Sequence, residues 1–207
     1  VAEAAEEEGE AMIFTGAALP RSPQGLAAAA AKIGCEPAAL QAVLSVEAAG
    51  SGFDALKRPK MLFEPHIFYG LLERHEASKL GAAVKARIAY PKWGMRPYPK
   101  DSYPHLTQAV ALDETLALDS ASWGLGQLLG QNFAKAGYAS PQAMVTAFAG
   151  GEDAQLTGMA AFIVKSGLAD ELRDKRWAAF ARGYNGPAYA RNHYDTKLAT
   201  AYAKATA

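Results

Sequence analysis

The chain holds a single cysteine, Cys35, among 207 residues. Its fold therefore rests on no internal disulfide, and zinc sites built from several thiolates are excluded. No run of about 18 apolar residues occurs, so no membrane-spanning helix is expected. The N-terminus lacks a basic stretch followed by an apolar one, so no export signal is visible. Neither H-E-x-x-H nor G-x-S-x-G is present, and the histidines (His66, His75, His105, His193) are scattered. Zinc-protease and serine-hydrolase chemistry thus lack their usual carriers, and neither metal nor cofactor is expected. Basic residues are missing from the first 20 positions, which carry Glu3, Glu6, Glu7, Glu8 and Glu10. Residues 1–11 read as an acidic tail outside the core. Residues 12–207 read as one domain. Over residues 21–207, 16 acidic residues stand against 21 basic ones, a surplus that suits a polyanionic partner. Strand-type alternation is also nearly absent, so the class is mainly α, a helical domain with at most one small β-hairpin.

What is present is helix punctuation. Half of the residues are apolar, enough for one well-buried core. Ser22-Pro23 opens a helix that Gly34 ends, and the next runs from Glu36 to Ala49. Pro65 opens another. Further helices are predicted over 78–88, 105–118, 122–136, 140–149, 152–166, 168–182 and 195–204. The segment from Gly50 to Phe63 is loop-like, with room for a short hairpin. Tyr90 to Pro104 contains four prolines, which forbid a continuous helix. Tyr90, Trp93, Tyr98 and Tyr103 alternate there with Lys92, Arg96 and Lys100. Such a loop either walls a sugar-binding cleft or pins itself to the core through its rings.

One residue breaks the pattern of its helix. Leu40, Val43 and Leu44 form an apolar stripe, and the next position on it is Glu47. A carboxylate on a buried face loses hydration, so it holds its proton or acquires a partner. A proton held near neutral pH is what a general acid needs. Glu64, between Phe63 and Pro65, is the second candidate; charge at a helix N-terminus is its structural alternative. Gly124-Leu125-Gly126-Gln127-Leu128-Leu129-Gly130 resembles G-x-G-x-x-G but has one residue too many before its last glycine. It lacks the preceding strand and the acid about 20 residues on that a dinucleotide site requires. Its glycines read instead as points of close approach to a helix or a ligand.

Four blocks carry a resemblance. VEAAGSGF (Val46 to Phe53), RPKMLFEPHIF (Arg58 to Phe68), SASWGLGQLLG (Ser120 to Gly130) and ARGYNGPAYARNHYDTKLATAY (Ala181 to Tyr202) resemble the N-acetylmuramidase domain of phage-type endolysins. They stand in that family's order. The resemblance implies a lysozyme-like α+β fold and cleavage of the β-1,4 link between MurNAc and GlcNAc in peptidoglycan. It implies that Glu47 is the acid, and that Ser122, Trp123, Gln127, Tyr184 and Asn185 contact the glycan. Glu64 is carried as the second catalytic group, although Pro65 stands where an Arg often follows in the family. The implied partner is the bacterial glycan strand, met by a monomer at the cell wall (periplasmic or extracellular), with no nucleic acid and no membrane insertion. Two alternatives stand beside hydrolysis: a lytic transglycosylase that leaves 1,6-anhydro ends, and a glycan-binding module without catalysis.

Overall fold

The computed structural model describes residues 14–47 and 51–207. The acidic tail lies outside the described residues, as do the last two residues of the helix expected from Glu36 to Ala49. Helix α1 (Pro23–Ile33) opens as its sequence dictates. Ser22 is extended, its Oγ accepts from the Gly25 N–H, and Pro23 occupies a first-turn position that needs no donor. Helix α2 (Pro37–Glu47) follows, with Leu40, Val43 and Leu44 wholly buried.

The further elements are β1 (Met61–Phe63), α3 (Pro65–His75), α4 (Ala77–Lys85), α5 (Tyr103–Leu112), α6 (Glu114–Asp119), β2 (Ala121–Trp123) and β3 (Leu128–Leu129). Then come α7 (Phe133–Ala136), α8 (Pro141–Gly150), α9 (Glu152–Lys165), α10 (Ala169–Arg173), α11 (Trp177–Asn185) and α12 (Tyr194–Thr206). The β element is a three-stranded antiparallel sheet in the order β1-β2-β3, with Met61 opposite Trp123 and Ser122 opposite Leu129.

Two apolar clusters form. Phe63, Phe68, Leu72, Leu106, Leu118, Trp123 and Phe148 fill one, beneath the sheet. Leu40, Leu44, Leu125, Leu156, Met159, Ile163, Phe180 and Leu198 fill the other, where α1, α2, α9, α11 and α12 converge. Tyr184 packs against both. Helices α2 and α12 run antiparallel, because the Tyr202 hydroxyl near the end of α12 donates to Glu36 just ahead of α2, at 2.9 Å.

Three expected helices come out differently. The one predicted over 122–136 is instead strand β2, a tight turn, strand β3, a 3-10 turn and the short α7. Gly124 at φ 68° and Gln127 at φ 44° are left-handed, which a helix cannot carry. The helix predicted over 105–118 breaks at Asp113, which is extended and caps α6 by accepting from the Leu116 N–H. That over 168–182 breaks before α11, where Lys175 takes φ 57°. The segment before Phe63 forms one isolated bridge, Phe53 with Pro59, and β1 finds its partner in β2 instead.

Candidate active site

Glu47 closes α2 and lines a cleft of about 530 Å³. The rest of the lining comes from the loop around Asp54, Leu56, Arg58 and Lys60, from Met61 of β1, from Lys100 to Tyr103, and from Gln127. The cleft thus lies where the helical cluster meets the sheet-side cluster. Asn185, at the end of α11, donates from Nδ2 to Glu47 Oε1 at 2.8 Å. Burial pushes the Glu47 carboxyl from an ordinary 4.5 up to about 7, against the opposing pull of the Asn185 bond and the Lys197 charge. The group therefore retains a proton to give near neutrality.

That shift fixes a pH dependence of stability. Below pH 4.5 the carboxyl is protonated both folded and unfolded, and holding it in the fold costs nothing. As pH rises towards about 7 the unfolded chain ionises first, and stability falls. Above that the penalty is constant, on the order of 2 kcal/mol once the group's partial contact with water is allowed for. Glu47→Gln should therefore raise the melting temperature at pH 8 and leave it nearly unchanged at pH 4. Calorimetry at the two pH values checks this, and an equal shift at both would contradict it.

The cleft holds two more carboxylates, and Arg58 occupies both. Its Nη2 lies 2.7 Å from Asp54 Oδ2 and 3.2 Å from Asp101 Oδ2. Asp54 Oδ1 accepts the Leu56 and Arg58 backbone N–H groups, and Asp101 Oδ1 accepts that of Tyr103. The guanidinium also covers the Tyr103 ring at 3.9 Å, and the Tyr103 hydroxyl donates to Pro59 O at 2.6 Å. Asp54 and Asp101 therefore shape the wall of the cleft. Among the described carboxylates that line the cleft, Glu47 alone is held by a neutral side chain.

The turn between β2 and β3 supplies the far side. Gln127 sits there with its left-handed backbone, and its Nε2 donates to Gly124 O at 3.0 Å. A non-glycine held at positive φ beside a cleft is the kind of strain that functional sites keep. The Tyr184 hydroxyl donates to Gly126 O at 2.8 Å and ties the turn to α11. A Cβ on Gly124 would stand 2.7 Å from the Gln155 side chain, and one on Gly126 2.7 Å from the Tyr184 hydroxyl. The glycines of the spurious dinucleotide motif are thus points of close approach to neighbouring side chains.

A family model described as N-acetylmuramidase matches residues 36–206. The chain belongs to the N-acetylmuramidase family. The crystal structure of the Burkholderia AP3 phage endolysin is similar to it, at 33% identity and a TM-score of 0.77, over 90% of this chain and 73% of that one. A search of curated proteins returns no match.

In this muramidase the residues expected at the site separate into two groups. Glu47 and Gln127 line one cleft, Asn185 bonds Glu47, and Tyr184 fixes the turn that carries Gln127. Tyr184 is itself committed: burial and the nearby Glu47 charge drive its hydroxyl well above its ordinary range, so it stays a donor.

The other group departs from expectation. Trp123 is wholly buried, and its indole N–H donates to Leu118 O at 3.1 Å, so it offers a glycan no surface. Strand pairing turns it into the core, where Phe14 stacks on it at 5.9 Å. Ser122 pairs with Leu62 and Leu129 in the sheet and is not among the residues lining the cleft. Glu64 is not a lining residue either. It precedes α3, accepts a short hydrogen bond from the Tyr98 hydroxyl, and has His66 Nδ1 at 3.5 Å. The loop after Tyr90 contributes Lys100 to Tyr103 to the cleft, whereas Trp93 stands 67% exposed and anchors no core.

Two residues of α9 escaped the sequence reading. Glu152 is buried and accepts the Gly52 N–H at 2.6 Å, the Ser51 hydroxyl at 3.1 Å and the Arg21 N–H at 3.0 Å. Gln155, also buried, accepts the Leu125 N–H at 2.8 Å and donates to Phe148 O at 3.0 Å. Together they fasten the chain just after Glu47 and the turn bearing Gln127 to one rigid helix. Each would leave several buried partners unpaired if removed.

Proposed function

We propose that this muramidase cuts the β-1,4 bond between MurNAc and GlcNAc with Glu47 as its general acid. Glu47 gives its proton to the glycosidic oxygen as the bond to C1 of MurNAc breaks. Water adds to C1, the new hydroxyl completes a reducing MurNAc end, and the proton that this water releases restores the acid. The single observation that carries the reading is the Glu47 carboxyl itself: half-sunk at the end of an apolar stripe, facing a cleft, and protonated near neutrality.

Asn185 supports the same step. Its Nδ2 steadies Glu47, while its Oδ1 is buried and accepts no hydrogen bond from the described residues. A buried acceptor of this kind costs free energy unless something fills it, and an N–H of the bound sugar or the incoming water does so. Gln127 and Tyr184 act as positioning groups, and the site of action is the bacterial wall.

Hydrolysis is separated from its nearest relative by the ends it leaves. A cleft with one uncommitted carboxylate also suits attack by the C6 hydroxyl of MurNAc, which gives a 1,6-anhydro end. Digestion of purified peptidoglycan followed by mass analysis should show reducing MurNAc ends, about 18 Da heavier than the anhydro form by the mass of one water. Anhydro ends would make the enzyme a transglycosylase, and no new ends would make the chain a glycan-binding module.

A further inference from the structure

A second groove, about 700 Å³, runs between α2 and α12. Lys197 and Lys204 line it together with the hydroxyls of Ser45, Thr196 and Thr200, and none of its described lining residues is acidic. The antiparallel packing gives it a direction. Val46 and Lys197 lie at the end beside Glu47, which feels the Lys197 charge. Gln41 and Lys204 lie at the other end. Seven helical residues separate the two lysines, a rise of about 10 Å. An extended peptide rises about 3.3 Å per residue, so the groove spans roughly three.

The chemistry of the lining is that of a receiver of acidic peptide. Ser45 Oγ donates back to Gln41 O at 2.8 Å, and Thr200 Oγ1 to Thr196 O at 2.9 Å. Ser45 Oγ also accepts from Gln41 Nε2 at 3.4 Å and keeps one lone pair, which with those of Thr200 Oγ1 can meet peptide N–H groups. Two ammonium groups with no carboxylate among the groove's described lining make a field that favours anions. The groove also begins where the sugar being cut must lie, and that sugar, MurNAc, carries on its lactyl group a peptide with several carboxylates.

We propose that the groove between α2 and α12 binds the acidic stem peptide of the MurNAc residue held at Glu47, with peptide carboxylates at Lys197 and Lys204. This rests on the muramidase reading and deepens it: the enzyme recognises the peptide as well as the glycan. Lys204 lies far from the reacting bond, so its contribution is confined to binding.

The test compares two substrates, glycan strands bearing stem peptides and the same strands stripped of them by an amidase. The wild-type enzyme should show a KM at least about threefold lower on the peptide-bearing strands. Lys204→Gln should raise KM on those strands about two- to fivefold, the range of an exposed ion pair, with kcat unchanged. It should leave both constants on stripped strands as they were, and Lys204→Arg should keep the preference. Equal KM on the two substrates for the wild type would overturn the proposal. So would a Lys204→Gln effect of equal size on both, which would mark the groove as a general polyanion surface. Cleavage of stripped strands reports the muramidase chemistry by itself, so a wild-type enzyme that cleaves them yet shows no preference for peptide-bearing strands counts against the groove alone.

Discussion

Glu47→Gln should lower peptidoglycan digestion by about 100- to 10,000-fold, the usual worth of a positioned general acid, with no loss of fold. The substitution removes the transferable proton and almost no volume. The amide can still meet Asn185, and the stripe of Leu40, Val43 and Leu44 is untouched. The loss should fall on kcat, because the proton moves only in the transition state. Asp54 and Asp101 cannot take over, since Arg58 and backbone N–H groups already engage their oxygens and fix them in the wall of the cleft. Activity within about tenfold of the wild type would remove Glu47 from the mechanism.

Trp123→Ala should cost about 3–5 kcal/mol of stability and leave the affinity of the folded fraction for wall glycan unchanged. The ring is wholly buried, touches Phe14, and has its N–H satisfied by Leu118 O. Trp123→Phe, which keeps most of the packing but takes the indole N–H away from that carbonyl, should cost less, about 1–3 kcal/mol. Denaturant melts together with wall-pelleting assays decide the matter. A weakened affinity with a small change in stability would return Trp123 to the glycan.

The contrast between Glu47 and Trp123 shows what a sequence discloses. Glu47 was legible because one helix sufficed: an acid on an apolar stripe is a local contradiction, and the 3.6-residue period exposes it. Helix starts at Ser22-Pro23 and Pro65 were legible for the same reason, as capping and proline geometry are local. The hairpin from Ala121 to Leu129 was not. Its strands are two and three residues long, too short to show alternation, and β2 is fixed by pairing with β1 about 60 residues earlier. Taken as a helix, the segment could not show that Trp123 faces inward.

Gln155 was legible by the test that found Glu47. Its neighbours Leu156 and Met159 are buried, so a polar residue there needs partners, and it finds Leu125 and Phe148. Glu64 shows the opposite limit. An acid before a proline-led helix looks alike in sequence whether it faces a cleft or a tyrosine, and only the return of the chain at Tyr98 decides. Arg58 gave no local sign of its role, because one of its two acids, Asp101, lies 43 positions away.

The most direct measurement is the titration of Glu47 itself, by carbon NMR of the labelled side-chain carboxyl in the folded enzyme, with Glu47→Gln to assign the signal. The expected midpoint is near 7, raised by burial above the ordinary 4.5. A midpoint at or below 4.5 would contradict it, since Glu47 would then be ionised at neutral pH with no proton to give.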